Sequence, residues 1–341
     1  MTIIKNFFKV LLVAVSLIIS LIIGIFIYFN LPVNVANGDA KLGVTYSARY
    51  AKDIGVDWKE NYLAILDDLG IKKIRIPVYW DLIEPKEGEY NFDDLDWQLN
   101  EARQRDAEII LTVGQKVPRW PECFIPDWTK NDPEKKNPAL LRMVNTVVER
   151  YKNNPEVKYW QVENEPFLDF GICPIPDTDL LGSEVALVRN LDPSRKVIVT
   201  DSGELSLWYK AASYADVFGT TMYRTIWKEG FGYFDYPIGP RFFQAKLGLV
   251  NLINNKNEAI VVELQAEPWI NGWTTSGELS EQFKSMNAQK LQENVEFARK
   301  VGFPEIYLWG AEWWYWLKTT QDHPELWDTA RTLFDQNNVL K

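Results

Sequence analysis

Two hydrophobic periods take turns along this chain. From Lys41 onward, short apolar runs are separated by stretches in which apolar residues recur every three or four positions. The runs Leu42–Thr45, Lys73–Tyr79, Glu108–Val113, Val157–Glu165, Lys196–Asp201, Val217–Tyr223, Ala259–Gln265 and Glu305–Gly310 predict strands. Helical spacing predicts helices over Trp58–Leu69, Phe92–Arg105, Pro138–Lys152, Leu180–Leu191, Leu205–Tyr214, Arg241–Asn254, Leu279–Val301 and Pro324–Phe334. Gly70 and Gly302 stand where helix C-caps are expected, because glycine takes the left-handed conformation without steric cost.

Strands that alternate with helices pair in parallel. Eight such units over residues 41–341 match a (β/α)8 TIM barrel, an α/β fold of that size with some enlarged loops. A doubly wound open sheet is the alternative. It carries a glycine-rich phosphate loop after its first strand, whereas the segment after Leu42–Thr45 reads SARYAKDIG.

A different pattern precedes the barrel. Val10–Phe29 is a run of 20 residues without a charge, long enough to cross a bilayer as a helix. Lys5 and Lys9 precede it, which places residues 1–9 in the cytoplasm and the remainder outside. The expected order is a cytoplasmic N-terminus, a signal anchor over 10–29, a tether over 30–40 and the barrel from 41. A cleaved signal peptide is the rival reading, but its apolar region usually runs about 7–15 residues. The chain is therefore expected to be a single-pass protein of the cell membrane with an extracytoplasmic barrel.

Composition narrows the chemistry. The net charge of −10 provides no basic patch for nucleic acid. The single histidine, His323, leaves little for a Ser-His-Asp triad or a histidine-ligated metal. A metal-dependent barrel hydrolase is accordingly the weakest reading, and no metal or cofactor is expected. Carboxylates are abundant, so acid–base work falls to Asp and Glu. The 15 Trp, 15 Tyr and 17 Phe supply a large core and also flat apolar faces on which sugar rings can pack.

In a barrel the strand C-termini open on one face, and that face holds the active site. Reading each strand end gives Arg75 and Tyr79 on the second, Gln115 after the third, Asn164 and Glu165 on the fourth, Tyr223 and Arg224 on the sixth, Glu263 on the seventh and Trp309 on the eighth. Two hydrophobic strands, WQVENEP and IVVELQAEPW, each run into a glutamate. Two facing carboxyl groups suit glycosidic bond cleavage: one protonates the departing oxygen and the other attacks, or activates water to attack, the anomeric carbon. Glu163 lies two residues before Glu165 and alternation points both the same way, so it reads as a supporting acid. Glu267 lies beyond the apolar run and before Pro268, which ranks it behind Glu263 as nucleophile and leaves it as a substrate contact. Glu84 and Glu87 read as a solvated loop. Trp120, Trp269, Trp313 and Trp314 could line sugar subsites or fill the core. The segments Ile226–Pro240 and Glu267–Gly277 are expected to shape the cleft.

With NEP on the fourth strand, a glutamate ending the seventh and WDLIEPKEGEYNFDDLD after the second, the chain resembles the clan A retaining glycoside hydrolases. The resemblance runs over roughly Leu42–Trp316 and is strongest to barrel β-galactosidases and cellulase-like β-glycosidases. It implies a retaining β-glycosidase acting on a β-linked oligo- or polysaccharide or glycoside. Glu165 would be the acid/base and Glu263 the nucleophile. Asn164 would hold the sugar 2-hydroxyl, Tyr223 and Arg75 would orient Glu263, and Trp309 would lie under the sugar at the scissile bond. Gln115 departs from the polar residues of some relatives and leaves substrate choice open at that position. A non-catalytic carbohydrate-binding barrel and a transglycosylase remain alternatives. Cys123 and Cys173 fall in the loops after adjacent strands three and four. A disulfide between them could persist outside the membrane.

Overall fold

The computed structural model describes residues 2–33, 40–130, 132–173, 177–254 and 258–339. Residues 34–39, most of the expected tether, lie outside that set. The described chain is a closed parallel barrel preceded by one helix. Its strands are β1 (Lys41–Thr45), β2 (Lys73–Pro77), β3 (Glu108–Val113), β4 (Val157–Val162), β5 (Val197–Asp201), β6 (Val217–Met222), β9 (Ala259–Gln265) and β10 (Glu305–Trp309). Around the barrel they run β1-β10-β9-β6-β5-β4-β3-β2. A hairpin that the periodicity did not reveal, β7 (Thr225–Lys228) with β8 (Gly232–Asp235), follows β6.

Several expected elements differ: the helix expected from Pro138 starts at Pro133, a helix over Ala311–Thr320 was not expected, and three further differences involve irregular backbone. The fourth strand stops at Val162 rather than Glu165, because Glu163 and Glu165 both take left-handed backbone, at φ 56° and 45°. The long helix Leu279–Val301 is two helices, Leu279–Ser285 and Ala288–Val301. Between them Met286 is extended and buried, and the Asn287 side chain accepts the Lys290 N–H to cap the second helix. The helix expected from Leu205 starts at Tyr209. Trp208 sits at φ 69° with its buried indole N–H donating to the Ser202 carbonyl, which turns the segment before it into a loop.

The barrel interior is layered. At its N-terminal end the Lys73 ammonium is buried between Glu108 and Glu305. Above that pair Ile110, Ile198, Val217, Ile260, Val262 and Tyr307 form an apolar plug separate from the core outside the strands. Such side-chain layers make a barrel a packed core and not a pore. The next layer, at the strand C-termini, is polar.

Cys123 and Cys173 are joined in a disulfide across 50 positions of chain, with their Cα atoms 5.2 Å apart. In the chain-entropy account, opening a loop of that length costs about 4 kcal/mol. Cys123→Ser with Cys173→Ser should therefore melt at a lower temperature in a calorimetric scan. An unchanged melting temperature would show that the bridge adds nothing to the fold.

The N-terminal helix, Thr2–Asn30, contains the 25-residue stretch Asn6–Asn30, whose most apolar 18 residues have a mean hydropathy of 3.2, long and apolar enough to cross a bilayer. Its end packs on the helix Pro240–Asn254. The Phe29 and Phe242 rings lie 5.2 Å apart, and the Asn30 side chain donates to the Pro237 carbonyl at 3.2 Å.

Candidate active site

One cavity of about 680 Å³ opens at the C-terminal ends of the strands, within the range of small-molecule sites. Glu165, Glu263, Tyr223, Trp309 and Glu267 line it, together with Trp120 and Trp269. Arg75 and Asn164 stand directly behind the carboxyl groups, buried. Gln115 is also fully buried and does not line the cavity. At Gly114 the chain turns back with φ 133°, and the Gln115 backbone N–H donates to Glu163. Trp313 and Trp314 belong to the core, where their indoles donate to Gln282 and to the Ala266 carbonyl. Glu84, expected in solvent, is buried instead and accepts from the Trp80 indole and the Gly88 N–H. Glu87 is half exposed and pairs with Lys135 and Arg142.

A backbone irregularity aims Glu263 inward. On β6, Thr220 pairs with Val261 but the next residue, Thr221, pairs with Glu263. On β10 the register slips at the same place. Val262 is the extra residue of a β-bulge, so Val262 packs in the interior plug and Glu263 also faces inward. Strict alternation would turn Glu263 to the helices. The Glu263 carboxylate then accepts from Arg75 Nη1 at 2.7 Å and from the Tyr223 hydroxyl at 3.3 Å.

Glu165 is placed differently. Its carboxyl accepts from the Thr221 hydroxyl at 3.1 Å, and its backbone N–H donates to Thr200. Buried Lys116 holds the turn after it by donating to the Glu165 and Leu168 carbonyls. No cation bonds the Glu165 carboxyl among the described residues. Burial pushes its pKa well above the usual carboxylate range, and the charges of Glu263 and Glu122 push the same way. The two glutamates thus stand in unlike environments, one tied to a guanidinium and one held protonated. Such a contrast separates an acid from a nucleophile.

Asn164 joins the two. Its amide oxygen accepts from Arg75 Nη2 at 2.6 Å and its amide nitrogen lies 3.3 Å from Glu122. Glu163 turns away from the cavity. Its carboxylate accepts the Gln115 and Lys116 N–H groups at 2.8 and 2.7 Å and so fixes the loop after β3. A Cβ on Gly114 would stand 2.5 Å from that carboxylate, so the contact needs glycine there. Two left-handed glutamates flanking an asparagine are strained backbone held by these bonds, which is characteristic of functional sites.

Among the lining residues that the sequence reading did not single out are Tyr50, Arg119, Glu122 and Glu204. Arg119, Glu122 and Glu204 lie on loops after strand ends, where periodicity carries no signal, and Tyr50 lies on Ala48–Asp53, a six-residue helix too short to show one. Glu122, next to Cys123, is buried and raised to about 8 by burial and by the charge of Glu263. Glu204 accepts the Tyr223 N–H and is raised to about 8 by burial. Glu163 and Glu184, buried side by side, are raised as well, chiefly by burial.

These shifts fix a direction for stability. From about pH 5 to 8 the folded chain keeps protons on Glu122 and Glu204 that the unfolded chain has lost, so stability falls as pH rises through that window. Acids held low by cations, such as Asp68 beside Arg331, change stability only at lower pH. Thermal scans should give a higher melting temperature near pH 5.5 than near pH 8. A flat or rising trend would contradict the assignment of these groups as buried and neutral.

Comparison with known proteins agrees with the geometry. The family model "Cellulase (glycosyl hydrolase family 5)" matches residues 43–303, most of the barrel. The chain belongs to glycosyl hydrolase family 5. It is 27% identical over 187 residues to endo-1,4-beta-xylanase 3 of Hypocrea jecorina, a match covering 52% of this chain and 50% of that protein. To beta-galactosidase LacZ of Lactobacillus acidophilus it is 30% identical over 104 residues, or 25% of this chain and 16% of the other. The chain thus spans half the length of the first of these relatives and less of the second. The fold is also that of the beta-galactosidase of Halorubrum lacusprofundi, with a TM-score of 0.61 and 14% identity over 88% of this chain and 58% of that one. As expected from its strand motifs, this family 5 chain falls among the clan A glycoside hydrolases.

Proposed function

We propose that this family 5 barrel is a retaining β-glycosidase that works by double displacement. The observation that carries the reading is the pairing in one cavity of Glu263, held by Arg75 and Tyr223, with Glu165, held protonated without a cation. In the first step the Glu263 carboxylate attacks the anomeric carbon while Glu165 gives its proton to the leaving oxygen. The glycosidic C–O bond breaks and a glycosyl ester forms on Glu263. In the second step Glu165, now a carboxylate, takes a proton from water, the water oxygen bonds to the anomeric carbon, and Glu263 leaves as a carboxylate. Both steps use side chains of the chain itself.

Asn164 would receive the sugar 2-hydroxyl and Trp309 would lie under the ring. Glu267 would touch a hydroxyl at the edge of the site, and Gln115 would act only from behind the loop after β3. The N-terminal helix would anchor the barrel to the outer face of the cell membrane, consistent with Lys5 and Lys9 preceding the apolar run. The test is hydrolysis of nitrophenyl β-galactoside, β-glucoside, β-xyloside and β-mannoside by the detergent-solubilised chain, with the first-formed anomer read by proton NMR. Release of the β-anomer supports the reading; release of the α-anomer excludes a retaining mechanism.

A further inference from the structure

The cavity is not equally open on its two sides. Glu165 leans on Thr221 of β6, so a leaving group protonated by Glu165 departs over the loops after β5 and β6. Those loops line the cavity through Ser202, Glu204, Leu205, Ile226 and Tyr236. The opposite side, where the sugar bonded to Glu263 would continue toward its non-reducing end, is filled by Arg119.

Arg119 reaches across the barrel mouth from the loop after β3. One guanidinium nitrogen donates to Glu267 at 2.6 Å and another to Glu312 at 2.8 Å, so the side chain ties its own loop to the ends of β9 and β10. It is stacked between the Tyr50 ring at 3.8 Å and the Trp309 ring at 4.0 Å and is buried. Behind it Glu312 accepts the Ser47 N–H, and Ser47 is bonded to the Tyr79 hydroxyl. Above it the Tyr50 ring meets Trp273 from the loop after β9 at 5.7 Å. Among the described residues, none from the segment between β2 and β3 lines the cavity. A guanidinium with two carboxylate partners and a ring on each face does not swing aside for a sugar.

We infer that Arg119 closes the far end of the site beyond a single sugar unit, so that the protein removes terminal residues from β-linked chains and does not cut within them. This rests on the roles proposed for Glu165 and Glu263, which define the two ends. A chain cut internally must pass beyond the first sugar, through space that Arg119, Tyr50 and Trp273 occupy.

The test uses the full chain in detergent and β-1,4-linked gluco-, xylo-, manno- and galacto-tetrasaccharides labelled at the reducing end. Each is offered free and with its non-reducing terminal sugar blocked by a bulky substituent. The expected result is stepwise loss of one sugar at a time from a free substrate and a rate at least about a hundredfold lower on its blocked partner. Equal cleavage of the blocked form, or mid-length labelled fragments appearing first, overturns the inference. If no substrate is cut, the glycosidase reading falls and the closed end is judged by calorimetric binding of the same pairs. Binding lost on blocking supports closure, and binding indifferent to the block overturns it. Arg119→Ala, shown folded by circular dichroism, should gain action or binding on the blocked form at least tenfold. If that variant does not fold, Tyr50→Ala, which leaves Arg119 paired with Glu267 and Glu312, is read in its place. No gain in a folded variant removes Arg119 from the role.

Discussion

Glu263→Ala should lose at least about 10³-fold in turnover on every nitrophenyl β-glycoside that the wild type cleaves, since in the proposed mechanism no other group forms the covalent intermediate. Glu165→Ala should behave differently with leaving-group demand. Nitrophenolate departs without a proton, so the first step survives, but the second step has lost its base. The variant should show a burst of nitrophenol followed by slow turnover. Azide, which attacks without a base, should restore the rate and yield the β-glycosyl azide. In Glu263→Ala, azide would enter the space of the missing carboxylate and give the α-azide. The two anomers therefore assign the roles independently of any rate. Glu267→Ala serves as the control, because Glu267 is bonded to Arg119 and the Trp309 indole and stands beside the pair. A Glu267 variant that traps no ester and gives the α-azide would move the nucleophile there.

Much of this frame was legible in the sequence, for physical reasons. A strand buried on both faces reads as a continuous apolar run, so the eight barrel strands stood out. The ends of those runs marked the catalytic face, and Asn164, Glu165, Tyr223, Glu263 and Trp309 do gather there. What periodicity could not supply was side-chain direction at irregular backbone. The extra residue Val262 reverses alternation on β9, and the left-handed pair Glu163 and Glu165 ends β4 early. The alternation argument for Glu163 thus did not apply, although its carboxylate does support the neighbouring loop. Residues contributed by loops were harder still. Arg119 and Glu122 reach the cavity by a path set by the Glu163 contacts and the Cys123–Cys173 bridge, and these are tertiary facts. Gln115, one position beyond Gly114, shows the same effect in reverse: a residue beside a strand end that the turn carries out of the cavity.

Arg75 is where fold and site meet, and its substitution should be costly to both. The guanidinium is fully buried on β2 between the apolar plug and the cavity. Its shortest bonds go to three acceptors, Gln161 at 2.7 Å and Glu263 at 2.7 Å on other strands and Asn164 at 2.6 Å just beyond β4. Arg75→Met keeps the volume but leaves three oxygen acceptors facing one another, one of them a carboxylate. Removing one partner of a buried ion pair costs about 3–5 kcal/mol, because the remaining charge is left uncompensated in low dielectric. Arg75→Lys keeps the charge but offers a single compact ammonium in place of a fork, so it cannot span all three acceptors and should be intermediate. The decisive variant is the double one. With Glu263→Gln added to Arg75→Met the uncompensated charge is gone, and part of the lost stability should return although two polar contacts are now missing. A cycle of the four proteins, read by urea unfolding, isolates that coupling. A coupling near zero would mean that Glu263 is compensated by other groups and that Arg75 only fills space. A coupling of several kcal/mol would mean that the pair closing the polar layer of the barrel also holds the proposed nucleophile in its charged form.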